Sequence, residues 1–238
     1  MTRKQIEQGI INAFADVVSA ENVLLIAKKF SGGDHFGEFE FYKNGLRYVL
    51  CIIFIKPNFL KVVCYLRVYH PEITALYNTV EKDDTDDFPI IWININSFML
   101  TENRSGIYNS SDKVEFYIDN VPSALLEKDL VHFATNILYN TVYRFVKQHI
   151  MPLTDSLEKI DYLFNDLPYL NNQSFKPNWT VYSTFLPEQV LTGTLLALHQ
   201  NRADKKVLLD KYLKYNSKFE EGSKHSVDIM RKIIDFYK

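Results

Sequence analysis

Apolar side chains recur at helical spacing from the start of the chain. Ile6, Ile10, Phe14, Val17 and Val18 fall on one stripe and Lys4, Gln8 and Asp16 fall elsewhere, which predicts an amphipathic helix over about residues 3–19. Residues 24–30 (LLIAKKF) fit an extension of that helix or a strand. Ser31-Gly32-Gly33-Asp34 then breaks the pattern. Between Phe36 and Tyr69 the period shortens to two, and Val, Ile, Phe and Tyr dominate, as in half-buried strands. Asn44-Gly45 supplies the two positive-φ residues that a type I′ hairpin turn needs, and Pro57-Asn58 marks a second turn. The result is a three-stranded meander in which Phe41 faces Tyr48 and Phe39 faces Leu50, with Glu38 and Glu40 on the opposite side.

The register of the second turn decides where the two cysteines lie. A strict two-residue loop would set Cys51 against Cys64 and divide the apolar residues between both faces. One extra residue or bulge instead joins Phe39, Phe41, Tyr48, Leu50, Ile52 and Phe54 with Leu60, Val62, Cys64, Leu66 and Val68 on one core face. Burial selects the second alignment, since a one-residue slip turns every side chain over. Cys51 and Cys64 are therefore expected on opposite faces, unbridged. The middle strand is also apolar on its second side, at Val49, Cys51, Ile53 and Ile55, which favours helices covering both faces over an exposed patch.

Beyond Pro71 a short helix is predicted, then strands at 90–95 and 114–118. A long helix should run from Pro122 to about Ile150, with Leu126, Leu130, Phe133, Ile137, Thr141 and Phe145 as its buried stripe. Met151-Pro152 should break it. Asp155 and Glu158 form a capping-box pattern that opens another helix through Phe164. Residues 168–186 carry proline and asparagine signals and read as a connecting segment, with a short strand or tether at 179–185. Three helices are predicted near 187–201, 203–217 and 222–237, with stripes at Val207, Leu208 and Leu213 and at Ile229, Ile233 and Phe236. The fold class is α+β: an antiparallel sheet of about five strands packed on the N-terminal and long central helices, with a C-terminal helical subdomain. The domain division expected is 1–167, a connection at 168–186, and 187–238.

Composition narrows the functional classes. The 238 residues are 47% hydrophobic and 24% charged with a net charge of −2, which excludes a disordered chain and a wholesale nucleic-acid binder. Two cysteines exclude a disulfide-stapled scaffold and a cysteine-built zinc site. The first residues do not read as a signal peptide, and the longest apolar run, Tyr48 to Ile55, is too short to span a bilayer as a helix. A soluble cytoplasmic protein is the expectation.

The near-neutral total hides an uneven distribution. Residues 81–130 hold eleven acids against four bases, and residues 201–238 hold ten bases against six acids. Glu81, Asp83, Asp84, Asp86 and Asp87 crowd into seven positions. Such a cluster either keeps a loop solvated or steers a basic protein partner, and it lacks the glycine and distal glutamate of a calcium loop. Lys205, Lys206, Lys211, Lys214 and Lys218 alternate with acids, as on a solvated helix face, and no nucleic-acid-binding motif accompanies them.

The six histidines form no metal-binding pair at helical spacing, and no phosphate loop, nucleophile elbow or kinase motif set is present. No metal or cofactor is expected. Cys51 and Cys64 sit in apolar strands, where thiols are inert packing. Glu38 and Glu40 could hold a cation, but the solvent side of an edge strand is the simpler role. His70 stands out because it lies in a polar cluster at a strand end. Tyr65, Arg67, Tyr69 and His70 are accordingly the candidate pocket if the protein is an enzyme or small-molecule binder. The leading expectation is non-catalytic protein binding through the acidic segment.

The order of the first 166 residues resembles small bacterial α+β domains of unknown function, some encoded beside toxin genes and immunity-like. Phe39, Phe41, Asn44, Gly45 and Tyr48, the 89–95 strand and Met151-Pro152-Leu153 carry the resemblance. It implies no catalytic residue. It implies that the acidic loop would face a basic partner, as an inhibitor of a nuclease would.

Overall fold

The computed structural model describes residues 2–31, 35–55, 60–79, 81, 88–95, 116–118, 127–166, 186–216 and 224–236. The chain is α+β, with an antiparallel sheet ordered β1 (Leu24–Phe30), β2 (His35–Lys43), β3 (Leu46–Ile55), β4 (Leu60–Tyr69) and β5 (Ile91–Asn94). A short β6 (Phe116–Ile118) pairs with the start of β4. Two compact units are formed, one from Met1–Lys43, Arg47–Arg67 and Asn94–Pro152, the other from Asn44–Leu46, Val68–Ile93 and Leu153–Lys238.

In the first unit, α1 (Arg3–Val18) opens with a capping box: Thr2 Oγ1 accepts from the Gln5 amide and Gln5 Oε1 accepts from the Thr2 amide. Ile6, Ile10, Ile11, Phe14 and Val18 are buried, and so is Glu7. Residues 24–30, ambiguous in the sequence, form a strand, and Asn22 in the left-handed conformation ends the 3₁₀ turn Ser19–Glu21 before it. The hairpin is as predicted. Asn44 (φ 53) and Gly45 (φ 79) both have positive φ, and the Phe41 and Tyr48 rings stack with centroids 5.3 Å apart. Phe14 meets Phe39 edge-on at 4.7 Å, and Tyr143 meets Phe41 edge-on at 5.6 Å. Each such pair contributes about 0.5–1.5 kcal/mol beyond area burial. Together they seat α1 and the long helix on one face of the sheet.

That face carries Tyr48, Leu50, Ile52, Phe54, Val62, Cys64, Leu66 and Val68, all essentially inaccessible. Cys51 lies on the other, beside Glu38 and Arg67, and both cysteines are free, as the burial argument requires. Burial, followed by the Glu38 charge, pushes the Cys51 thiol up to about 12 from an ordinary 9.0, and burial pushes Cys64 up as well. At pH 8 the thiolate fraction of Cys51 should be about a thousandfold below that of the unfolded chain. Ellman's reagent should therefore label the native protein slowly and the urea-unfolded protein fast. Rapid labelling of either thiol in the native state would contradict this burial.

Several expectations need correction. β2 is an internal strand between β1 and β3, so Glu38 and Glu40 do not line a solvent edge; Glu38 pairs with Arg67 and Glu40 with Arg47, 3.4 Å away. Met151-Pro152 does not break the long helix. The described run is continuous from α3 (Glu127–Phe133) through α4 (Met151–Thr154). Between these α-helical ends it widens into π-helix at Ala134–Tyr143 and Val146–Ile150, where the amides of Arg144 and Met151 reach back five residues to Tyr139 and Val146. Its buried stripe is Leu130, Ala134, Leu138, Val142, Val146 and Ile150; of the expected residues Leu130 and Phe145 are buried, whereas Phe133, Ile137 and Thr141 are only half-buried. A π turn rotates each residue by less than the roughly 100° of an α-helix, so steps of four stay on one face. The α-helical template misplaced the stripe for that reason. Leu126 and the loop at 103–112 lie outside the described residues.

In the second unit, α2 (Pro71–Asn78) follows the end of β4, with His70 as N-cap and proline in its first turn. Ile90 donates its amide to the Val68 carbonyl. Helix α5 (Leu157–Asn165) is capped by Ser156, whose hydroxyl accepts from the Lys159 amide, not by Asp155, which pairs with Lys159 Nζ at 2.6 Å. Helices α6 (Leu186–His199), α7 (Lys205–Asn216) and α8 (Lys224–Phe236) match the three predicted, but Val207 is 56% exposed and Phe236 is exposed too. Among the described side chains of α7, Leu208, Leu209 and Tyr212 are buried. The single Tyr212 hydroxyl proton is shared between two acceptors, Asn165 Oδ1 at 2.5 Å and the Phe164 carbonyl at 3.0 Å. A Cβ on Gly193 would lie 2.6 Å from that hydroxyl, so glycine is needed for α6 to approach Tyr212. Helix α5 is thus stitched to the C-terminal helices. The connecting segment 168–185 and the stretch at 179–185 lie outside the described residues.

Candidate functional site

Of the acidic segment, Glu81 is described. Its amide donates to the Tyr77 carbonyl at 3.1 Å, and its carboxylate stands 3.9 Å from Lys232 Nζ on α8. Asp83, Asp84, Asp86 and Asp87 lie outside the described residues. Among the pocket candidates, Tyr65 is half-buried and Arg67 is engaged with Glu38, both in the first unit. Tyr69 is buried and His70 begins α2, both in the second unit.

His70 does belong to a polar group, although its partners were not legible in the sequence. In the first turn of α2, Glu72 Oε2 lies 2.6 Å from His199 Nε2 at the end of α6, and the His199 and His70 rings stand edge-on at 6.0 Å. Burial first, and then the neighbouring His199, lowers the pKa of His70 against the opposing pull of Glu72. The hydrogen bond to His199 lowers that of Glu72. Beside the pair runs a cleft of about 420 Å³ lined by Glu72, Ala75, Leu76, Thr79, Leu198 and His199. Among the described residues no group of three or more His, Cys, Asp or Glu side chains could hold a metal ion.

A second cleft, of about 390 Å³, lies in the first unit and includes Glu21, Asn22, Phe41, Tyr42, Tyr143 and Lys147. Tyr139, Tyr143 and Lys147 recur every four residues on the π-helical run and converge on Glu21. Tyr139 Oη donates at 2.5 Å, Tyr143 Oη at 3.3 Å, and Lys147 Nζ closes the set. Burial raises the Glu21 pKa, but these three donors outweigh it and hold the carboxyl below its ordinary value; burial and the facing carboxylate push Tyr143 upward. The donors are consumed by the protein's own carboxylate, so the cluster ties the 3₁₀ turn to the helix.

A third group is deeper. Glu7 is fully buried and takes Arg3 Nε on one oxygen (2.6 Å) and His35 Nδ1 on the other. The signal for it was present: Glu7 shares the stripe of Ile11, Phe14 and Val18, where a charge has to find partners on folding. No family model matches the chain, and no curated protein and no solved structure does so either.

Proposed function

We propose that this is a non-catalytic protein-binding protein, immunity-like in role, whose contact surface is the acidic segment Glu81, Asp83, Asp84, Asp86 and Asp87 and whose partner is a basic protein. The observation that carries the reading is the density of carboxylates there, five in seven residues with one lysine among them. The field of such a cluster accelerates encounter with a cationic surface and disfavours anionic ones. Several described charges elsewhere are spent on internal partners: Glu7 on Arg3 and His35, Glu21 on three donors, and Arg202 on three aspartates. That pattern supports a scaffold for binding more than a poised reaction centre.

The test is a pull-down from the source cell's own extract, comparing the native chain with a variant in which Asp83, Asp84, Asp86 and Asp87 are all changed to Asn. A basic protein retained by the native form, and released by the variant and by raised salt, is the expected result. Equal recovery with both forms would clear the acidic segment. The absence of any specific partner would count against protein binding and turn attention to the Glu72–His199 cleft.

A further inference from the structure

The sheet ends, among the described residues, on β1, whose outer edge takes no strand. Leu24 is 60% exposed and Ile26 46% exposed on this strand, and Tyr42 of neighbouring β2 is 64% exposed. Leu24 pairs with Glu40, so Leu24 and Tyr42 project from the same face as diagonal neighbours. The register shifts between Leu25 and Ala27, leaving Ile26 as the extra residue of a bulge, unpaired with β2. Lys28 and Lys29 follow, both exposed and with no ion pair among the described residues. Among the described residues this seven-residue strand therefore has no strand partner on its outer side, and it carries an apolar half and a cationic half.

We infer that the outer edge of β1 is a strand-addition site for an extended acidic peptide segment, which packs apolar side chains against Leu24 and Ile26 and sets carboxylates against Lys28 and Lys29. Main-chain hydrogen bonds supply affinity in this mode of recognition, and side chains supply selectivity. Edge lysines and bulges commonly guard a sheet against stacking with copies of itself. Here the two lysines oppose parallel self-pairing, which would bring like charges together, and admit a strand of opposite charge. The inference uses a different surface from the acidic segment and stands apart from the function proposed above.

The experiment uses the full chain and two fluorescein-labelled synthetic peptides of alternating valine and threonine. One carries two glutamates at its N-terminal end, where antiparallel pairing places them against Lys28 and Lys29; the other carries two lysines there. Fluorescence anisotropy should show the acidic peptide bound about tenfold more tightly than the basic one, the sum expected of two exposed charge pairs and their reversal. The double variant Lys28→Glu/Lys29→Glu should invert that preference while keeping the urea midpoint of the native protein. Failure of the acidic peptide to bind, equal binding of both peptides, or an unchanged preference in the double variant would overturn the proposal.

Discussion

Glu7→Ala is expected to cost about 3–5 kcal/mol of stability, the range for removing one partner from a buried ion pair. Glu7 lies on the buried stripe of α1 with no exposed surface, and its oxygens bond Arg3 and His35. Truncation leaves the largely buried His35 ring without the acceptor for its Nδ1, while Arg3, more exposed, can turn to water. The cavity between α1 and β2 adds to the loss. Glu7→Leu, which refills the volume and removes the buried charge, is expected to recover part of it. Urea midpoints of the two variants against the native chain are the measurement. A loss below about 1 kcal/mol for Glu7→Ala would mean that the charge is solvated in the native state and the network carries little.

Arg202→Ala should cost about 3 kcal/mol, and the deficit should depend on pH. The Arg202 guanidinium sits in the turn between α6 and α7 and binds Asp161 at 2.6 Å, Asp166 at 2.5 and 2.7 Å, and Asp204 at 2.9 and 3.1 Å. Without it, three carboxylates, one of them buried, face each other uncompensated. The hydrogen bonds from Arg202 hold the Asp204 carboxyl below its ordinary value. A carboxyl depressed by folding contributes stability above its unfolded pKa of about 3.9 and loses it as pH falls through the lower folded value. The deficit of Arg202→Ala should therefore be full at pH 7 and shrink below about pH 4, as protonation also relieves the repulsion in the variant. Urea midpoints measured from pH 7 to pH 2.5 decide the matter, and a deficit independent of pH would show that the aspartates draw no stability from Arg202.

Much of the fold was legible because local chemistry agreed with tertiary demand. The stripe of α1, the hairpin at Asn44-Gly45 and the opposite faces of Cys51 and Cys64 each follow from a short-range rule: helical period, positive φ, and period two under one-sided burial. The candidate sites were less legible. Glu21 and Lys147 are 126 positions apart, and Glu72 and His199 are 127 apart. A single sequence contains no signal for such pairs. The capping box at Thr2 and Gln5, by contrast, is a local signal, because its two partners are three residues apart.

The sequence by itself determined the α1 stripe, the hairpin, the core face of the meander and the clustering of acid at 81–87, but not the state of residues 24–30, because each of the former depends on residues within a turn or a strand of one another. Only the tertiary structure decided which charges are spent. It buried Glu7 between Arg3 and His35, gathered three aspartates onto Arg202, and stacked Tyr139, Tyr143 and Lys147 over Glu21 through π-helical turns that an α-helical period does not anticipate. It also placed β2 inside the sheet and β1 at its end, which turned the expected solvent face of Glu38 and Glu40 into a pair of ion bridges and left Leu24, Ile26, Lys28 and Lys29 facing solvent. The physical reason is the same in each case. A long-range ion pair or a sheet edge is set by which strands and helices become neighbours, and that is decided by the burial of the whole core rather than by any one segment of it.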